Sequence, residues 1–339
     1  MDIARNPLEL VFDDIYISLD NILENNIVNI KLEGFSISGS IKIKSALRMV
    51  DRLEMSGKIK KGDTLIESSS GNLGVALSII SAVRGYNFVC VTDPNLLTTS
   101  ENLMKAYGAE IVKITEKDEN GGYLNSRIKY IKNITSKDKS FTWINQYENI
   151  DNVDAHYSCT APAIFKKFPQ IDYLFIGVGT TGTLSGVSRY FKLKSPNTKI
   201  IAIDSIGSVT FGEKPGKRLI PGLGTSKVPP ISKLSIYDDI VYVTEQDTIN
   251  LCKKLSLQGL LFGGSTGTIL SGICDYANKI KENSCVVTIS PDFGDKYLDT
   301  IYNEEWTNKH FNKIKSQGEL TWAHLILQLL TLNILSNGF

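Results

Sequence analysis

Histidine and cysteine, the side chains that most often hold metal ions or form cross-links, are scarce in this sequence of 339 residues. The five cysteines are odd in number and have no C-x-x-C spacing, which argues against a disulfide framework and against a zinc site. Three histidines, His156, His310 and His324, leave little material for a zinc centre or a catalytic triad. We expect no metal site and a reducing, cytoplasmic location.

An excess of charge of one sign is also missing. Thirty-seven basic and 36 acidic residues give a formal net charge of +1. No strong field therefore favours nucleic acid or an anionic membrane, and small molecules are the expected partners. The first ten residues, MDIARNPLEL, contain no apolar core behind a basic start, so we expect no signal peptide.

Long apolar runs are absent as well. The most apolar segment, 321–339, is interrupted by His324, Gln328, Thr331 and Asn333. It falls short of the 18 or more apolar residues that a membrane-spanning helix needs. We expect no membrane span, and a tail helix that packs on the body of the protein or on a second subunit.

Short apolar runs alternate with helical patterns along the rest of the chain. NFVCVTD, DYLFIGV, KIIAID and SCVVTISP are rich in Val, Ile and Phe, and the segments between them can form crossover helices. One complete unit is a strand ending at Glu67, a turn rich in serine and glycine, and a helix that Gly85 ends. The pattern predicts an α/β protein with a parallel sheet.

A dinucleotide fingerprint follows one of these strands. Gly177, Gly179 and Gly182 form G-x-G-x-x-G, and Asp204 closes the next apolar run at about the spacing that an NAD site requires. Taken alone, this stretch predicts a nicotinamide dehydrogenase.

Two other turns carry chemistry-bearing residues. In SSSGNLG, 68–74, backbone N–H groups and side chains at a helix start could bind a carboxylate or phosphate, although Ser70 or Asn72 could also simply cap the helix. Lys42 and Lys44 begin a further helical pattern, where the dipole disfavours a charged amine. The setting suits Schiff-base chemistry, and the alternative is two solvated lysines.

Five motifs in order connect these turns: G-S-I-K (39–42), S-G-N (70–72), G-T-T-G-T (179–183), G-G-S-T-G (263–267) and S-P-D-x-G-D-x-Y-L (290–298). Their order and spacing resemble the fold-type II pyridoxal-phosphate enzymes of the cysteine synthase family. The resemblance implies a two-domain α/β architecture, similar to the tryptophan synthase β subunit, with parallel central sheets. It further implies a homodimer, a smaller mobile domain over 35–152 that binds the substrate carboxylate, and a larger domain over 8–34 and 153–320 that binds the cofactor phosphate.

The resemblance also implies a role for each motif. Lys42 binds pyridoxal phosphate covalently and is the catalytic base, Asn72 bonds the ring hydroxyl of the cofactor, and Ser265 faces its pyridine nitrogen. The cofactor phosphate is held by Gly179, Thr180, Thr181, Gly182 and Thr183. The substrate carboxylate is bound by Ser69, Ser70 and Gly71. On this interpretation the glycine-rich turn holds a phosphate and not a dinucleotide.

Further stretches, among them GGYLNSRI, WINQY and IPGLGTSKVP, resemble the subgroup that makes N-(2-amino-2-carboxyethyl)-L-glutamate for siderophores. This resemblance implies O-phospho-L-serine as donor, L-glutamate as nucleophile and a precursor of 2,3-diaminopropionate as product, with Arg127 and Tyr147 as candidate glutamate-binding residues. One alternative is a cysteine synthase that uses sulfide.

A second alternative is a catalytically impaired cofactor-binding homologue. Cys159, Ala161 and Ala163 stand where relatives have a stretch rich in glycine. Side chains added to a close-packed turn can reshape a site. We expect Cys159 to be a small buried residue and His156 to be structural.

Overall fold

Two β-sheets form the framework of the protein. The computed structural model describes residues 3–118 and 121–311. Within them the strands are β1 (Tyr16–Leu19), β2 (Val28–Leu32), β3 (Thr64–Ser68), β4 (Asn87–Thr92), β5 (Glu110–Lys113), β6 (Phe141–Trp143), β7 (Tyr173–Gly177), β8 (Lys199–Ser205), β9 (Asp239–Val243) and β10 (Val286–Ser290).

Helices connect most of these strands. They are α1 (Lys42–Met55), α2 (Asn72–Arg84), α3 (Thr98–Ala106), α4 (Leu124–Lys137), α5 (Ile150–Ala155), α6 (Ala161–Lys167), α7 (Gly182–Lys194), α8 (Glu245–Ser256), α9 (Gly264–Asp275) and α10 (Glu304–Phe311). Short 3₁₀ turns occur at Pro7–Glu9, Pro230–Leu234, Ala277–Lys279 and Gly294–Tyr297, and a π-helical turn at His156–Thr160 joins α5 to α6.

The larger sheet has the strand order β1-β2-β10-β7-β8-β9 and the smaller one β5-β4-β3-β6. Every neighbouring pair is parallel except β1 and β2. The α/β architecture is confirmed, with the difference that the larger sheet is mixed. Residues 20–27, which join β1 to β2, are too few for a crossover helix, so the two strands run antiparallel.

Helices cover both faces of the larger sheet, so alternate residues of its central strands enter two separate cores. In β7, Phe175 packs in the core that contains Ile269 of α9, whereas Leu174 and Ile176 pack in the core that contains Phe191 of α7. The same alternation divides β3 of the smaller sheet between two further clusters. Strands buried on both faces explain why the four apolar runs read as almost continuous hydrophobic segments.

The strand-turn-helix unit around Glu67 forms as expected. Strand β3 is followed by α2, which ends at Gly85 in the left-handed conformation with φ 76°. Because a side chain is strained at such a φ, glycine suits this helix end.

The strands of the smaller sheet all fall within 64–143, and those of the larger sheet lie outside that range. The domain boundaries and the mobility of 35–152 remain predictions. Among residues 3–118 and 121–311, no helix combines the length and apolar character needed to cross a bilayer. The apolar tail, 321–339, lies outside the described residues.

Strand order brings the motifs together. Strand β10 lies between β2 and β7, and the three are parallel. Their carboxyl ends therefore meet at one edge of the sheet, where ligands bind in open α/β folds. The turn before α1, the turn before α7 and residues 291–297 all begin at this edge.

Replacing Phe191 by Ala tests the core between the larger sheet and α7. Phe191 is fully buried and packs edge-on against Phe165, so its removal leaves a cavity. We expect the free energy of unfolding in urea to fall by about 3–5 kcal/mol. Leu193→Ala, two residues along the same helix and 67% exposed, is the matched control and should change it by less than about 0.5 kcal/mol. Equal losses in the two variants would contradict this packing.

Candidate active site

Two adjoining cavities lie at the edge where the motifs meet. The larger, of about 240 Å³, and the smaller, of about 40 Å³, share Lys42, Asn72, Gly179 and Thr180 in their walls. The larger cavity extends between the sheets toward Ser69, Ser70, Gly71, Arg127 and Tyr147. The smaller one ends at Thr181, Gly182, Thr183 and Ser265. All the predicted site residues therefore line one or both cavities.

Lys42 is the first residue of α1 and lines both cavities. Burial lowers the pKa of its amine, and the carboxyl of Asp292 opposes this shift without cancelling it. A buried lysine at a helix start favours its neutral form, which is the nucleophilic and basic one.

Lys44 has a different environment, although it is only two residues away. Its ammonium group forms ion pairs with Asp13 and with Glu33, the latter at 2.7 Å, in a buried cluster that also contains Lys31. Neither the Schiff-base role nor a solvated position fits Lys44, which is a structural residue.

The glycine-threonine turn leaves space and donors for an anion at the start of α7. Thr181 lies in the left-handed region with φ 71°, and its buried Oγ1 has no hydrogen-bond partner. A Cβ at Gly179 would lie 2.9 Å from Gly222 O, and one at Gly182 would collide with the Asn152 side chain. A turn without room for side chains, with free backbone N–H groups and an unpartnered hydroxyl, fits a phosphate group.

The start of α2 is capped by Ser69, and not by Ser70 or Asn72. Ser69 Oγ accepts hydrogen bonds from Gly74 N at 3.0 Å and Gly71 N at 3.3 Å, so Ser69 takes the capping role. Asn72 Nδ2 donates to Asp292 Oδ2 at 2.7 Å. The alternative that Ser70 or Asn72 simply caps the helix is therefore wrong, and Ser70 lies at the cavity wall.

Ser265, in the first turn of α9, borders the smaller cavity opposite the turn of α7. Gly222, with φ 116°, approaches it so closely that a Cβ there would collide with Ser265 Oγ. The absence of a side chain at Gly222 therefore leaves space for the Ser265 hydroxyl at the cavity wall.

Arg127 lies on the buried face of α4. Its Nη1 is 3.4 Å from Asp93 Oδ2 without the geometry of a hydrogen bond, and neither Nε nor Nη1 has a hydrogen-bond partner. Burial raises the pKa of the Tyr147 phenol, and the charges of Arg127 and Arg218 oppose that shift. Arg127 is therefore a buried cation at the cavity wall and not part of a solvated helix face.

The chain that contains this site matches the family model described as pyridoxal-phosphate dependent enzyme over residues 16–292. The chain belongs to this family. Its cofactor is therefore pyridoxal phosphate, and the nicotinamide interpretation of the glycine-rich turn is wrong. Asp204, which completed that fingerprint, is fully buried at the end of β8, where its own carboxylate accepts from Ser205 N at 2.8 Å.

Solved structures of several other enzymes share the fold. The O-acetylserine dependent cystathionine beta-synthase from Helicobacter pylori is 27% identical, with a TM-score of 0.83 over 89% of this chain and 100% of that chain. An O-ureido-L-serine synthase is 26% identical, with a TM-score of 0.81 over 96% and 100% of the two chains. A hydrogen sulfide-producing enzyme from Fusobacterium nucleatum is 29% identical, with a TM-score of 0.81 over 87% and 100%.

His156 contacts Thr183 of the 179–183 turn with its buried imidazole ring. Its buried ring lies within 3.0 Å of Ser45 Oγ and Thr160 Oγ1 and 3.2 Å from Thr183 Oγ1. The π-helical turn that begins at His156 also places Cys159 on the surface. The expectation of a buried Cys159 is therefore wrong, because the extra residue of the π turn rotates it outward.

Sequence reasoning missed several residues of the site. Arg218 lines the larger cavity, and Asn152 Nδ2 donates to Thr180 Oγ1 at 3.1 Å. Lys296 Nζ donates to Asn72 Oδ1 at 2.8 Å. The available signal for Arg218 was its position in a loop rich in glycine and proline, between two stretches that carried the resemblance. The described part of the chain contains no cluster of three side chains suited to a metal ion.

His156→Gln tests the neutral imidazole behind the turn. Burial, and secondarily the charges of Lys42, Lys44 and Lys31, hold the pKa of His156 well below its usual 6.5. The unfolded chain therefore takes up a proton below pH 6.5 that the folded chain refuses. The stability advantage of wild type over the variant should be complete above pH 6.5 and fall below it, by up to about 1.4 kcal/mol per pH unit. Urea unfolding at pH 7.5, 6.5 and 5.5 measures this, and a constant difference would contradict a neutral imidazole.

Proposed function

We propose that this enzyme replaces the β-substituent of a serine derivative. O-Phospho-L-serine is the donor, the amine of L-glutamate is the nucleophile, and N-(2-amino-2-carboxyethyl)-L-glutamate and phosphate are the products. The β-carbon–oxygen bond breaks with its electron pair leaving on phosphate. The glutamate nitrogen forms the new bond to that carbon and loses a proton. The product is a precursor of 2,3-diaminopropionate, as a siderophore pathway requires.

One observation carries the proposal: a single cavity joins Lys42, the 69–72 turn and the buried cation Arg127. A lysine amine of lowered pKa suits removal of an α-proton. The backbone N–H groups at a helix start suit the α-carboxylate of an amino acid. A buried guanidinium beyond them suits a second anionic group, which both phosphoserine and glutamate possess and sulfide lacks.

The residues that line the two cavities then have distinct roles in the proposed reaction. When bound, the cofactor withdraws electrons from the α-carbon of the substrate. Lys42 Nζ takes the α-proton. Asn72 would hold the cofactor ring, and Ser265 would offer a neutral hydroxyl to its nitrogen. The 179–183 turn would hold the cofactor phosphate, and Ser69, Ser70 and Gly71 hold the substrate carboxylate. Arg127 and Tyr147 receive glutamate.

The resemblance that supports this assignment also supports a homodimer acting in the cytoplasm. Sulfide remains the second candidate nucleophile, because the five motifs resemble the cysteine synthase family.

Lys42→Ala tests the covalent attachment of the cofactor. After incubation with pyridoxal phosphate and reduction with borohydride, intact-protein mass spectrometry should show a covalent adduct on wild type and none on Lys42→Ala. Lys44→Met is the matched variant on the same helix. It should keep the adduct because its side chain lies in the Asp13–Glu33 cluster, away from the cavities. An adduct that is lost in Lys44→Met and kept in Lys42→Ala would contradict the assignment of Lys42.

Phosphate release tests the reaction itself. With O-phospho-L-serine as donor, purified enzyme loaded with pyridoxal phosphate should release phosphate continuously when L-glutamate is added, and mass spectrometry should identify the coupled product. Arg127→Gln should lower kcat/KM for glutamate by about 10- to 100-fold, because a charge-assisted hydrogen bond is lost. Faster turnover with sulfide than with glutamate would establish the cysteine synthase alternative. No turnover with any donor would indicate an impaired homologue.

A further inference from the structure

Arg218 is a cation of the larger cavity for which neither the family resemblance nor the sequence motifs provide a role. It lies in the connection between β8 and β9 and lines the same cavity as Lys42 and Arg127. Its Nη1 makes one long hydrogen bond, to Leu223 O at 3.4 Å, and its Nε is buried without a partner. Most of its donor capacity is therefore unused at a cavity wall.

The surrounding loop holds this guanidinium in place. Glu245 Oε1 accepts from Leu219 N at 2.7 Å and from Ile220 N at 2.6 Å, which anchors the backbone directly after Arg218. Gly224, with φ 74°, lies against the guanidinium so closely that a Cβ there would collide with Arg218 Nη1. Glu245 fixes the backbone of the loop, and Gly224 leaves space for the guanidinium. The position of Arg218 is therefore defined by its surroundings.

The charge balance of the cavity points to an anionic ligand. Two guanidiniums, those of Arg127 and Arg218, line it, and Asp93 is the one acidic side chain among the described lining residues. Asp93 lies beside Arg127, at 3.4 Å. Arg127, Tyr147 and Arg218 line this same cavity. Burial lowers the pKa of Arg218, and the charges of Asp204, Glu245 and Tyr147 oppose this shift.

We infer that Arg218 is a substrate-binding residue, which together with Arg127 receives the anionic group of a substrate beyond its α-carboxylate. This inference rests on the proposed function. Two sources share that chemistry, the phosphate of the donor and the γ-carboxylate of the nucleophile. Arginine suits both because its planar donor fork bonds two oxygens at once.

A purely structural role is the competing explanation. Asp204 is buried nearby, burial raises its pKa to about 6, and one of its oxygens has no hydrogen-bond partner. If Arg218 only balanced this carboxyl, its loss would affect stability and leave the choice between charged and neutral substrates unchanged. Substrate preference therefore separates the two roles.

The experiment compares Arg218→Gln with Lys217→Gln in enzyme loaded with pyridoxal phosphate. Lys217 is the exposed neighbour on the same loop, so both variants lose one positive charge. The donor preference is the ratio of kcat/KM for O-phospho-L-serine to that for O-acetyl-L-serine. The nucleophile preference is the ratio for L-glutamate to that for L-glutamine. Calorimetric titration with inorganic phosphate and with L-glutamate measures binding independently of turnover.

Arg218→Gln should lower one of the two preferences, and the matching calorimetric affinity, by about 10- to 100-fold. A loss in the donor preference identifies the phosphate as the bound group, and a loss in the nucleophile preference identifies the γ-carboxylate. Lys217→Gln should leave both preferences within about twofold of wild type, since an exposed charge contributes little to binding. Arg218→Lys keeps the charge, so its substrate preference and affinity should fall less than those of Arg218→Gln. It replaces Arg218→Gln in the experiment if that variant does not fold.

Preferences and affinities within about twofold of wild type in both Arg218 variants would overturn the inference. So would a wild-type enzyme that prefers neither charged substrate. If wild type prefers one of the anions and Arg218→Gln abolishes that preference, while no coupled product forms from phosphoserine and glutamate, the proposed function fails and the role of Arg218 stands.

Discussion

A hydrogen bond of 2.7 Å from Asn72 Nδ2 to Asp292 Oδ2 joins the two sides of the cleft. Asn72 begins α2 beside the smaller sheet, whereas Asp292 follows β10 of the larger one. Tyr297 also donates to Asp292, at 2.6 Å, and Lys296 Nζ donates to the side-chain oxygen Oδ1 of Asn72. Since a buried polar group that loses its partner costs free energy, this network favours one relative placement of two separate hydrophobic cores. The position of Lys42 at the junction depends on it.

Burial serves two purposes in the same cavity. It lowers the pKa of the Lys42 amine and so favours the form that can take a proton. It also strips water from the guanidiniums of Arg127 and Arg218, which cannot release a proton and so favour an anion as partner. A basic amine next to anion-binding groups is the combination that β-replacement between charged amino acids needs.

Local patterns predicted most of the fold and much of the site. The apolar runs formed β4, β7, β8 and β10 because burial on both faces of a parallel sheet demands continuous hydrophobic residues. The turns carrying the motifs line the two cavities because the carboxyl ends of parallel strands meet at one edge. The mixed edge of the larger sheet was missed, since nothing in β1 itself records the direction in which it pairs.

The sequence alone therefore determined the family, the cofactor and the turns that form the site, because short motifs encode backbone geometry directly. Only the tertiary structure decided the surroundings of individual side chains. Lys42 lines the larger cavity, whereas Lys44 enters an ion cluster. Cys159 is exposed, and Arg218 lines the same cavity as Lys42 although it belongs to none of the sequence motifs. The physical reason is that burial and charge pairing depend on residues far apart in the chain, such as Asp13 with Lys44.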